Sequence, residues 1–275
     1  MNFHSDKYIL DRVHEHLDES FEYFPVDRIV GIFYQGSGNY GLDYEKSDVD
    51  TKLIVTPTFR EIAFNKSPVS TTHVRANDEH TDFKDTRLYI QTFRKQNLNF
   101  LEILFTPFQW VNWRYADEWQ RLVDNREAIT HYNPYQTIKS MKGIAMEKFH
   151  AMEHPYPSKL DVLAQYGYDP KQVSHLVRVE DYIERYIKGD SYESCLRPTN
   201  PDFIMDIKLG KYDLAAAREI AQKSITRIIS IADNFAEKVE NTFDKEVDDL
   251  LNDVQYNIMR KAVVMELQNS GTCCL

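Results

Sequence analysis

Apolar residues recur at every fourth position near the start of the chain. Ile9, Val13, Leu17 and Phe21 predict an amphipathic helix over residues 6–21. A β-prone run follows at residues 28–34 and stops at a glycine turn. The run Thr51-Lys52-Leu53-Ile54-Val55 predicts the next strand, ending before Pro57. Residues 67–85 (SPVSTTHVRANDEHTDFKD) are polar and read as a loop with one short strand. Residues 86–96 suit a helix, and the apolar run 100–105 (FLEILF) reads as a strand closed by Pro107.

From residue 134 the helical period dominates. Leu176, Val179, Ile183, Tyr186 and Ile187 mark one helix face. Phe235, Val239, Phe243, Val247, Leu250, Val254 and Ile258 mark a second, long one. The expected organisation is a mixed α/β (α+β) module over residues 1–133, with a small mixed sheet, followed by a mostly α-helical region over 134–275.

The 275 residues suffice for a real core in either part, and 42% hydrophobic with 28% charged residues is ordinary for a globular protein. The longest apolar stretches, such as residues 29–33, are too short for a bilayer, and the acidic N-terminus does not resemble a secretory signal. The expected compartment is the cytoplasm. Cys195, Cys273 and Cys274 form no disulfide framework and no zinc spacing. A net charge of −10 opposes nonspecific binding to a phosphate backbone, so any nucleic-acid contact has to be local.

The densest chemistry lies in Gly36-Ser37-Gly38-Asn39-Tyr40-Gly41 and the following Ser47-Asp48-Val49-Asp50. The glycines spell G-x-G-x-x-G, but a dinucleotide fold needs a full crossover helix after them. Residues 42–47 (LDYEKS) make under two helical turns, so that reading fails. A calcium loop fails too: Asp48 stands where a glycine has to turn the chain, and Ile54 where a bidentate Glu has to close the cage. Strand alternation instead sends Asp48 and Asp50 one way, and Val49 and Thr51 the other. Two carboxylates so placed favour a cation, and Mg²⁺ (or Mn²⁺) takes one or two carboxylates together with substrate phosphates. The Gly36-Ser37 turn offers backbone N–H groups and a hydroxyl to a triphosphate.

A Gly-Ser pair, a ten-residue gap and D-V-D resemble the signature of the DNA polymerase β-type nucleotidyltransferase superfamily. More narrowly, GSGNYGLDYEKSDVD, DTRLYIQTFRKQNLNFLEILFTP, SHLVRVEDYI and DIKLGKYDL resemble, in that order, the YcgL-like branch, described as an RNA-repair-pathway polymerase β family. The resemblance spans roughly residues 31–214. It implies a small mixed sheet with helices behind it, and Mg²⁺-dependent transfer of a nucleoside monophosphate from a nucleoside triphosphate to a hydroxyl. Gly36 and Ser37 would hold the triphosphate, and Asp48 and Asp50 the metal. The active site is expected in the cleft between the two parts.

A third acid is also expected. The resemblance places one at Asp85, while Glu102 and Asp82 are further candidates; Glu102 falls in an apolar segment, where an unpaired charge is costly. Lys171, His175, Arg178 and Tyr182 form one polar stripe on a helix, and the similarity to a His-x-x-Arg segment favours His175 and Arg178 as nucleotide-binding residues. Against this stands plain solvation of the stripe. Lys139 and Lys142 are better read as solvated. His73, Asp78, Glu79, His80 and Asp82 match no ligand template. Tyr40 and Tyr44, beside the turn, are placed to touch a base or sugar. The expected partners are a nucleoside triphosphate and an acceptor hydroxyl on RNA, protein or a small molecule, with no membrane. The competing reading is a catalytically silent nucleotide-binding sensor, with oligomer contacts through the C-terminal helices.

Overall fold

The computed structural model describes residues 3–269 and shows an α+β fold: a five-stranded mixed sheet with helices, followed by a helical region. Cys273 and Cys274 lie outside the described residues. Among those described, no helix is long and apolar enough to cross a membrane. The chain divides into two compact units. The first comprises residues 3–39, Asp43–Tyr132 and residues 243–269; the second comprises Tyr40–Leu42 and Asn133–Thr242.

In the first unit, helix α1 (Asp6–Ser20) starts where the Ser5 hydroxyl accepts the Tyr8 N–H, and it buries Ile9, Val13 and Leu17. Its partner is a sheet ordered β3-β4-β2-β1-β5, built from β1 (Ile29–Gln35), β2 (Asp50–Val55), β3 (Ser70–Val74), β4 (His80–Asp85) and β5 (Gln109–Val111). β2 runs antiparallel to β1 and parallel to β4. One sheet face sends Ile32, Tyr34, Leu53, Val55 and Phe83 into a core with Ile9, Val13 and Leu17. Each such side chain contributes about 1.5–3 kcal/mol by leaving water. On the other face Phe33 stacks against Trp119, with ring centroids 4.1 Å apart. Short helices α2 (Phe59–Ala63), α3 (Thr86–Arg94), α4 (Leu98–Leu101), α5 (Ala116–Asp124) and α6 (Arg126–Thr130) complete this part.

Two local expectations are corrected here. The polar stretch 67–85 holds two strands, one of them β4, which lies next to the end of the sheet. Its alternation is real but disguised, because the inward positions are Thr81, Phe83 and Asp85 while His80, Asp82 and Lys84 point away. The run FLEILF is not a strand. Asn97 caps it by accepting the Asn99 N–H, and α4 continues into a single 3₁₀ turn, Glu102–Leu104. A short apolar run carries no period that separates strand from buried helix.

The second unit is all helical: α7 (Pro134–Ala151), α8 (Leu160–Tyr166), α9 (Pro170–Lys188), α10 (Tyr192–Leu196), α11 (Pro201–Lys208) and α12 (Leu214–Ala236). Asn133, Asp169, Asn200 and Asp213 each cap a helix with a side-chain oxygen, three of them just ahead of a proline. α9 is its centre, packed by α7, α11 and α12.

The long apolar stripe from Phe235 to Ile258 is not one helix. α12 ends at Ala236, and after a turn the chain forms α13 (Lys245–Asn269), which belongs to the first unit. Arg94 Nε donates to Asp248 at 2.7 Å, Lys261 Nζ to Glu118 at 2.7 Å, and the Phe59 N–H to Glu266 at 2.6 Å. The continuous apolar period across the break concealed the return. The expected helical region over 134–275 thus keeps its start near Asn133 but loses its last helix.

Candidate active site

β1 ends at Gln35, which pairs with Asp50, the first residue of β2. The glycine turn therefore leaves the sheet at the end where the D-V-D segment enters it. Burial alternates there: Asp48 is exposed, Val49 buried, Asp50 half-buried and Thr51 buried. Asp48 precedes the strand itself, but the alternation already separates the two carboxylates from Val49 and Thr51. Asp50 Oδ1 accepts the His80 N–H at 2.8 Å.

The turn has a structural reason of its own. The Tyr34 hydroxyl accepts the Gly38 N–H at 3.0 Å, and a Cβ built on either Gly36 or Gly38 would stand 2.8 Å from that oxygen. Gly36 also has φ +156°, where side chains are strained. Ser37 Oγ donates to Ser47 Oγ at 3.2 Å, and the Tyr44 N–H reaches the same Ser47 oxygen at 3.0 Å. Burial, and then the charges of Asp43, Glu102 and Asp50, hold the Tyr34 phenol well above its usual range.

Asp43, with Glu45 and Ser47, matches in sequence only the first alternating ligands of the calcium loop that fails. It is buried; its Oδ2 accepts the His4 N–H at 2.9 Å, and its Oδ1 meets no donor among the described residues. Its signal was its place between the turn and D-V-D.

Asp85, the third acid implied by resemblance, is not brought to this end. It pairs with Val55, so it stands five residues along the sheet from Asp50, roughly 16 Å at strand spacing, and it points to the opposite face. There it caps α3 and forms a two-pronged pair with Arg87, at 2.9 and 2.7 Å. Asp82 does share the face of Asp50. Its Oδ2 is 3.0 Å from Lys52 Nζ and its Oδ1 accepts from Thr72 at 2.6 Å. Burial would raise its pKa, but Lys52 and these hydrogen bonds outweigh that and hold the carboxyl below its usual range. Lys52 and Lys84 stand 4.1 and 4.7 Å from the Phe100 ring centroid. Burial and the Lys52 charge lower the Lys84 pKa.

In the second unit, the expected polar stripe of α9 is split: Lys171 is exposed and His175 half-buried, while Arg178 and Tyr182 are buried. Tyr182 turns into the core against Tyr192, with centroids 5.3 Å apart, and leaves the candidate set. Arg178, also buried, lies 3.9 Å above the Tyr40 ring, and its Nη1 meets no acceptor among the described residues. Lys208 Nζ donates to the Leu42 carbonyl at 2.7 Å. Desolvation, and then the charges of Arg178, Lys171, Lys148 and Lys208, push the His175 imidazole well below its usual pKa. Tyr40 is buried under Arg178 rather than open to a base. Lys142 pairs with Asp233 at 2.6 Å, and Lys139 is exposed.

A divalent cation can be tested against these residues. Among the described residues, no group of three or more His, Cys, Asp or Glu is assembled to hold one. Two carboxylates completed by substrate phosphates are what Mg²⁺ ordinarily uses, and Asp43 keeps one buried oxygen without a donor among the described residues. The donor set fits Mg²⁺ or Mn²⁺. No family model and no curated protein matches this chain.

Proposed function

We propose that the chain is a metal-dependent nucleotidyltransferase of polymerase β type, moving a nucleoside monophosphate from a nucleoside triphosphate to a hydroxyl. The observation that carries the reading is the Gln35–Asp50 register, which puts a glycine-serine turn and a pair of acidic residues at one end of one sheet. In the reaction the acceptor oxygen bonds to the α-phosphorus, the α–β bridging bond breaks, and pyrophosphate leaves with the electron pair. Mg²⁺ on Asp48 and Asp50 would supply charge neutralisation at the phosphates. Gly36 and Ser37 present backbone N–H groups and a hydroxyl to the triphosphate. Asp43 and Glu102, whose charges act on the Tyr34 phenol, replace Asp85 as candidates to take the acceptor proton. Within the second unit, the buried Arg178 guanidinium, whose Nη1 meets no acceptor among the described residues, with His175 beside it, forms an anion site of its own. The setting is the cytoplasm, and RNA ends are the first acceptors to try.

The test incubates the protein with α-labelled nucleoside triphosphates, Mg²⁺ and RNA, protein or small-molecule acceptors. Label transfer with pyrophosphate release, lost in Asp48→Asn plus Asp50→Asn, is expected. Transfer that survives the double change removes the site assignment. Tight nucleotide binding without transfer replaces the enzyme with a sensor.

A further inference from the structure

The side of D-V-D that faces away from the carboxylates is held by a buried polar network that the proposed chemistry does not use. Glu79 Oε1 accepts the Val49 N–H at 3.3 Å, between the two metal-facing acids. Its Oε2 is 3.0 Å from His16 Nε2 and 3.1 Å from Arg12 Nε. The other nitrogen of His16, Nδ1, lies 3.0 Å from Thr51 Oγ1, which is 2.8 Å from Thr81 Oγ1. Arg75 Nη1 donates to Thr81 at 2.7 Å and its Nε pairs with Glu19 at 2.7 Å. His16 is fully buried and Glu79 nearly so.

Burying so many charges is costly, and a hydrophobic cluster would serve stability as well. What the network does that apolar packing could not is fix a loop backbone residue by residue. Val49 lies just before β2, where no strand partner holds its N–H. Glu79 supplies that acceptor, and His16 fixes Thr51, the residue after Asp50. The residues on either side of Asp50 are thus tied to one rigid pair anchored on α1.

We infer that Glu79 and His16 are positioning residues that set the aim of Asp48 and Asp50 for the metal. This rests on the metal-binding reading above. The partners of metal-holding groups typically change affinity 10–100-fold when removed.

The experiment measures Mn²⁺ binding to the full chain by electron paramagnetic resonance, without substrate, beside thermal melting. Glu79→Ala is expected to weaken Mn²⁺ at least about tenfold. Glu79→Gln, whose amide oxygen still accepts the Val49 N–H although its NH2 no longer accepts from Arg12, is expected to recover at least part of the affinity lost in Glu79→Ala. Arg94→Ala, which breaks the pair with Asp248 in the same unit, is the stability control and is expected to lower the melting temperature without moving Mn²⁺ affinity. Should Glu79→Ala fail to fold, Thr51→Val, which removes only the hydroxyl at His16, is expected to weaken Mn²⁺ by about threefold or more. Unchanged affinity in the folded variants, or equal loss in Arg94→Ala, overturns the positioning role. A wild type that binds no Mn²⁺, or binds it equally with Asp48 and Asp50 replaced by Asn, overturns the metal site itself.

Discussion

Replacing Gly38 by Ala tests whether the glycine turn is dictated by Tyr34. The new Cβ would meet the Tyr34 oxygen at 2.8 Å and ring carbons at 3.3 and 3.4 Å. The ring has nowhere to retreat, being 2% exposed and set edge-on against Phe108 at 5.8 Å. Overpacking of this kind costs about 1–3 kcal/mol. Tyr34→Phe removes the offending oxygen but leaves the buried Gly38 N–H without its acceptor, at about 1–3 kcal/mol. In the double variant the nearest atom to the added methyl is a ring carbon at 3.3 Å, which a few tenths of an ångström relieves. The two losses should therefore fall short of additivity by about 1 kcal/mol or more. The assay is urea unfolding followed by tryptophan fluorescence. Trp110, Trp113 and Trp119 all lie in the first unit, so the signal reports that unit and not the helical one. Losses that add to within about 0.5 kcal/mol, or a Gly38→Ala protein as stable as wild type, refute the steric account. The glycine would then be left to its role in approaching phosphate.

Asp85→Asn should cost about 1–3 kcal/mol through the lost pair with Arg87, yet leave transfer per folded molecule unchanged, as read by unfolding and label transfer side by side. Arg178→Gln should weaken tripolyphosphate binding at least about tenfold by calorimetry, because a charge-assisted donor is removed from a desolvated site; equal affinity removes Arg178 from the anion site. Burial raises the Glu79 carboxyl, but hydrogen bonds from His16, Arg12 and Asn77 outweigh it and lower the group from 4.5 to about 2. A depressed carboxylate stabilises above its unfolded pKa, so roughly 3 kcal/mol is present above about pH 5 and is lost as pH falls towards 2. The stability gap between wild type and Glu79→Gln should narrow by about half or more between pH 7 and pH 3, following that linkage; a constant gap excludes it.

The first helix was legible in its apolar period of four, and the first two strands in short β-prone runs closed by the glycine turn and by Pro57. The sequence concealed β4, whose inward positions include Thr81 and Asp85, polar residues that satisfy themselves by local pairing. It also ran α12 and α13 together, since one apolar period crosses the turn between them. The placing of the Gly36-Ser37 turn and Asp50 at one end of the sheet could be read from spacing. Asp85 misled, because an acid at a strand end serves equally well as a helix cap. Asp43 and Glu79 stood out only in ligand patterns that failed; the contacts of Glu79 with Val49 and His16 depend on strand register, and residues 67–85 carried no readable register.

The return of α13 has a consequence for biosynthesis. As the chain emerges from the ribosome, all of Asn133–Thr242 appears before α13 does. The helical unit, continuous apart from Tyr40–Leu42, can settle while the sheet still lacks the helix that pairs with Arg94, Arg121 and Glu118. The usual N-terminal-first order of domain folding is then inverted for completion, and a nascent chain stalled before residue 245 should present a protease-sensitive first unit beside a resistant second one.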